Sequence, residues 1–142
     1  MRAHHLSELE IEGREKVLHL EPLFDFYKIR KVRRIVIDFY EESGNSHKPD
    51  MIITAEYKSM TSTYELVIRL EGVHELALPD MQPFLHLTEL EVEDTRERML
   101  EGVNFEIIAH YENDFRCLCR GIEIVSFAII PPPLPPVFLA QR

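Results

Sequence analysis

The chain has 142 residues, 45% hydrophobic and 29% charged, a composition that excludes a disordered polymer, a collagen-like repeat and a disulfide-dense scaffold. A single domain of this length buries about 68% of the surface that its unfolded form exposes, so no second domain or cofactor is expected. Lys and Arg number 16 against 25 Asp and Glu, a formal net charge of −9, which disfavours general nucleic-acid or anionic-membrane binding and favours a basic partner.

Residues 1–12 (MRAHHLSELEIE) carry charge every few positions and no apolar stretch of the kind a secretory signal needs. The richest apolar run, 122–130, still holds Glu123 and Ser126 and falls short of the roughly 18 residues of a spanning helix. A cytoplasmic protein without membrane partners is expected. The first 31 residues mix helical and alternating spacing at Leu6, Leu9 and Ile11, and 22–29 (PLFDFYKI) follow neither period; at least one strand is assigned there.

Alternation takes over from residue 32. In 32–40 (VRRIVIDFY) Ile35, Ile37 and Phe39 share one face, with Arg34 and Asp38 opposite. Residues 41–50 (EESGNSHKPD) read as a polar loop. Residues 51–58 (MIITAEYK) alternate less cleanly than 63–70 (TYELVIRL), where Tyr64, Leu66, Ile68 and Leu70 line one face, and the four residues between the two runs fit a hairpin loop. Residues 89–93 alternate Glu89, Glu91 and Glu93 with Leu90 and Val92, which predicts an acidic ridge continuing to Glu97. Asp94 as N-cap, Glu97 three residues later and Gly102 as a left-handed stop predict a two-turn helix over 95–101. Residues 103–111 and 115–120 then form a meander through the turn residues Glu112, Asn113 and Asp114, Gly121 permits a reversal, and 122–130 read as a central strand because both faces become apolar. Five prolines in 131–136 must leave the sheet as polyproline II. The organisation expected is a β-rich domain over 1–130 and a proline-rich arm over 131–142.

Chemistry-bearing patterns are sparse. The five glycines stand alone, so no phosphate cradle exists, and no GxSxG elbow is present. Cys117 and Cys119 project from the same strand face as Phe115, opposite Arg116 and Arg120, which reads as core packing in place of a metal pair; no metal ligands are assigned. Residues 28–34 (KIRKVRR) hold five basic residues in seven, either an anion-binding strip or an edge strand protected by positive charge. The ridge of Glu89, Glu91, Glu93 and Glu97 is either a solvated face or a surface that engages a basic partner. In the arm, Leu134, Val137, Phe138 and Leu139 have a composition poorly suited to solvent. Six polyproline residues at about 3.1 Å each span about 19 Å, so the arm is expected to dock on a second copy and give a homodimer by arm exchange.

The run 94–124 resembles a pattern in small uncharacterised bacterial proteins, some of them immunity-like proteins accompanying polymorphic toxins. The matching pieces are Asp94, Glu97-Arg98, Glu101-Gly102, Phe105, Tyr111-Glu112, Cys119-Arg120 and Ile122-Glu123-Ile124. The resemblance implies a bacterial, cytosolic, β-rich domain and transfers no catalytic residue.

The expected fold is an all-β antiparallel sandwich or half-barrel of roughly seven to nine strands with one short helix, with α+β as the alternative if residues 22–31 are helical. The expected function is non-catalytic protein interaction, as an immunity-type binder of a cationic partner. A small-molecule-binding or catalytic β-barrel and a structural homo-oligomer are the alternatives.

Overall fold

A computed structural model describes residues 6, 9–39, 48–78, 90–99, 101–109 and 115–131. Among the described residues, eight strands form two four-stranded sheets. The strands are β1 Ile29–Asp38, β2 Asp50–Lys58, β3 Thr63–Glu71, β4 Glu75–Ala77, β5 Leu90–Asp94, β6 Phe105–Ala109, β7 Arg116–Cys119 and β8 Gly121–Ile129. The first sheet has the order β1-β2-β3-β8 and the second β4-β7-β6-β5, and every pairing between these strands is antiparallel. The result is the all-β sandwich; neither sheet closes into a barrel.

The inner faces follow from period-2 patterning. Tyr64, Leu66, Ile68 and Leu70 of β3 are buried as their alternation requires, and they stand beside Met51, Ile53, Ala55 and Tyr57 of β2. From the second sheet Leu90, Val92, Phe105, Ile107, Ala109, Cys117 and Cys119 enter the same core. The Cys pair therefore sits where its spacing placed it. A void of about 10 Å³ between the sheets, lined by Ile29, Val32, Ile53, Leu66, Ile107 and Phe115 among others, is too small to admit a ligand. At one end, five aromatic rings close the sandwich: Phe24 stacks on Tyr57 at 4.5 Å, Tyr64 stacks on Phe127 at 4.2 Å, and Phe26 meets Phe24 edge-on at 5.1 Å.

Four expectations need correction. Residues 14–18 form a short helix, α1 Arg14–Leu18, and residues 22–31 contain only a 3-10 turn, Phe26–Lys28, before β1 begins at Ile29. The two-turn helix over 95–101 is a single 3-10 turn, Arg96–Arg98. Thr95, not Asp94, is its N-cap residue and makes no side-chain cap bond; Asp94, one residue earlier, accepts the Arg96 N–H on Oδ1 at 2.9 Å, and Met99 adopts φ 52° and ends the turn after three residues. β7 and β8 do not extend one meander, because the chain changes sheet at Gly121. β8 is a border strand, not a central one. Its apolar outer edge is covered by the N-terminal segment, where the Glu12 N–H donates to the Ile122 carbonyl at 3.2 Å and the Ile124 N–H donates to Glu12 at 2.7 Å. Ile35 and Ile37 do share one face, opposite the buried Ile53 and Met51 of β2. Bulges between Ile29 and Lys31 and between Val32 and Arg34 shift the register so that Ile29 and Val32 are both buried, while Ile37, on the inner side, and Phe39, beyond the strand, are exposed.

Among the described residues no helix is long and apolar enough to cross a membrane. Glu89 and the arm residues Leu134, Val137, Phe138 and Leu139 lie outside the described residues.

Candidate functional site

The outer face of the second sheet collects charge by strand register. Residues opposite one another in an antiparallel ladder present their side chains on the same face. One row therefore runs Glu75, Leu118, Glu106 and Glu93 across β4, β7, β6 and β5, and the next runs Ala77, Arg116, Ile108 and Glu91. Glu93 and Glu106 are direct cross-strand partners, a like-charge pairing that destabilises a sheet unless it is compensated. Compensation comes from the 3-10 turn. Arg98 donates from Nη2 to Glu93 Oε1 at 3.0 Å and from Nη1 to Glu106 Oε1 at 3.4 Å.

Arg116 serves the other half of the row. Its Nε donates to Glu106 Oε2 at 2.7 Å and its Nη1 to Glu75 Oε2 at 3.0 Å, so the guanidinium links the residues on either side of Leu118. Leu118 faces outward yet is buried. The Glu106 side chain is only 7% exposed, whereas Arg98 and Arg116 are each 47% exposed. Its hydrogen bond to the accepting Glu106 carboxylate holds the Arg116 guanidinium more firmly protonated than usual, with Glu75 adding to the effect. Among the described residues the face thus carries four carboxylates, Glu75, Glu91, Glu93 and Glu106, against the two guanidiniums of Arg98 and Arg116.

Of the expected ridge, Glu91 and Glu93 share the outer face of β5, the border strand of this sheet, and Glu97 is exposed on the adjoining turn. Glu93 is ion-paired, so the ridge is a charge network with an acidic excess, not a row of free carboxylates. Asp94 continues it. The Arg96 guanidinium grips both Asp94 oxygens, at 3.0 Å from Nε and 2.6 Å from Nη2, and reaches Glu10 at 2.8 Å. Hydrogen bonds from Arg96 hold the Asp94 carboxyl below its ordinary value. Sequence reasoning missed Glu75, Glu106, Arg98 and Arg116 as members of this face. The outward alternation of Glu106 within 103–111 and of Arg116 within 115–120 was a signal for two of them.

Other charged groups lie elsewhere. β1 is the border strand of the first sheet, with Arg30, Arg33 and Arg34 exposed on it, and Arg33 pairs with Glu56 at 2.6 Å. An open groove of about 470 Å³ lies at the β2–β3 hairpin, lined by Arg33, Glu56, Met60 and Ile129 among others. Glu12, Glu71 and Glu123 bring one carboxylate oxygen each within 4.8 Å of one another, with an Arg120 nitrogen 3.8 Å from Glu71. No convergence of nucleophile, base and pocket is formed by the described residues at any of these places.

A family model described as Immunity protein PIM8 matches residues 18–125, well over half of the chain, from the end of α1 to the middle of β8. The chain belongs to this immunity protein family, which gives it an immunity-type role in protein interaction. No curated protein and no solved structure matches it.

Proposed function

We propose that this member of the PIM8 immunity family is a non-catalytic, cytoplasmic, homodimeric protein that neutralises a cationic toxin. The observation that carries the reading is the family match over residues 18–125, because immunity is conferred by binding a toxin. The outer face of the second sheet is the docking surface in this reading. Its acidic excess suits a basic partner, and the net charge of −9 steers such a partner from a distance. Arg98 and Arg116 fix the carboxylates Glu93, Glu106 and Glu75 in place, so little side-chain freedom is lost on binding. Glu91 and Glu97 extend the face toward the border of the sheet, with Glu89 as the next carboxylate in sequence.

Co-expression with the toxin encoded beside its gene tests the reading. Cells carrying the toxin alone should stop growing, and the wild-type chain should restore growth. Failure to restore growth, with both proteins present and soluble, would overturn it.

A further inference from the structure

β1 borders its sheet, so its outer row of backbone N–H and C=O groups has no strand beside it among the described residues. Such edges invite pairing, and proteins blunt them with bulges and positive charge. Both devices occur here, but only in the first half of the strand. The bulges fall between Ile29 and Arg34, and the basic run ends at Arg34. From Arg34 to Asp38 the ladder with β2 is regular, residue for residue. An unprotected five-residue edge remains, centred on Val36.

This segment, RIVID, is complementary to itself when reversed. Antiparallel pairing about a two-fold axis through Val36 sets Arg34 of one copy opposite Asp38 of the other, twice, with Val36 against Val36. It also sets Ile35 opposite Ile37 on the face that continues the core. Three features of the single chain fit that arrangement. Neither Arg34 nor Asp38 has a side-chain partner among the described residues, although both are exposed and charged. Asp38 stands directly opposite Asp50 of β2, whose carboxylate is engaged by the Gly72 N–H at 3.0 Å and lies 3.9 Å from Arg69, so the cation of a second copy would serve Asp38 itself. Ile37 is 39% exposed on the inner side of the strand, where Ile35 is only half-buried.

The geometry points to a second copy of this chain as the occupant of the edge: β1 pairs with β1 across a two-fold axis at Val36 and joins two first sheets into one eight-stranded sheet. The interface is isologous and closed, so it makes dimers and not fibres. The inference rests on the homodimer proposed above and supplies its contact.

Charge reversal tests it. R34D places Asp opposite Asp38 of the partner, and D38R places Arg opposite Arg34. In sedimentation analysis each single variant should dimerise roughly ten- to a hundred-fold more weakly than wild type. The R34D/D38R double variant should recover the dimer, and an equimolar mixture of the two single variants should form heterodimers, which also shows that both are folded. Single variants as dimeric as wild type would overturn the edge contact while leaving the homodimer standing. Loss of the dimer on truncation after Ile130 would assign it to the arm and overturn the edge contact likewise. A monomeric wild-type chain would overturn contact and homodimer together, leaving the toxin reading to its own growth test.

Discussion

Two buried residue types carry opposite consequences for substitution. The Thr95 hydroxyl is buried with no hydrogen-bond partner among the described residues, in a residue only 1% exposed. An unsatisfied buried hydroxyl costs free energy that a methyl group does not. Thr95→Val is therefore expected to leave stability unchanged or to raise it by up to about 1 kcal/mol in urea denaturation; a loss of that size would show that the hydroxyl is satisfied. Cys117 and Cys119 are fully buried beside each other, and hydrogen bonding with Cys117 together with burial pushes the Cys119 thiol well above its ordinary value. Thiolates, not thiols, react. Labelling of the native protein by a thiol reagent should be slow and should accelerate on adding denaturant, and rapid labelling of the folded chain would contradict the assignment to the core.

At the scale of the element, two turns hold the architecture and each makes a prediction. Gly13 precedes α1 at φ 80°, and a Cβ there would collide with the Ile124 carbonyl oxygen of β8. Gly13→Ala should cost roughly 2 kcal/mol or more, from the left-handed backbone and the loss of close contact with β8. A near-neutral result in thermal unfolding would show that the N-terminal segment does not cap that strand. At the 3-10 turn, Arg96 lowers the Asp94 carboxyl, so the folded state binds that proton less readily than the unfolded state. The pair's contribution is present above the ordinary carboxylate range, near pH 4, and is lost as pH falls through the depressed folded value. Asp94→Asn should reduce stability near neutrality by about 0.5 kcal/mol, and its deficit should shrink as the pH is lowered below about 4. A deficit independent of pH would assign the effect to the hydrogen bond from the Arg96 backbone N–H alone.

The same elements show what the sequence made legible. β2 and β3 could be read because alternation is a property of one strand, and the Cys pair could be placed for the same reason. The bulges of β1 could not, since a bulge is defined against β2, and β8 read as central because the segment that covers its edge lies more than a hundred residues earlier in the chain. The helix over 95–101 failed for a local reason: Thr95 stands at the N-cap in place of Asp94, the Arg96 side chain folds back onto Asp94, and Met99 turns left-handed. Glu91 and Glu93 were visible as one face. Their neighbours Glu75 and Glu106 join them only through three ladder registers that no single segment encodes.

At the scale of the whole molecule, the described strands of the first sheet hold both signs of charge, whereas the outer face of the second is acidic in excess. The basic run lies along the border strand of the first sheet, and the acidic excess lies on the outer face of the second. With the net charge at −9, the acidic face is the one that long-range attraction favours for a basic toxin, while the basic run guards half of an edge whose other half is open to a second copy. In this account toxin binding and self-association use different sheets, so neither blocks the other. The most direct measurement is the association rate of the chain with a purified cationic toxin of the kind it is proposed to neutralise, followed across a range of ionic strength. The account predicts fast association that slows steeply with salt. It also predicts that E89Q/E91Q/E93Q/E97Q associates roughly tenfold more slowly at low salt, with a flatter dependence and unchanged thermal unfolding. Equal rates and equal salt dependence for the two proteins would contradict it.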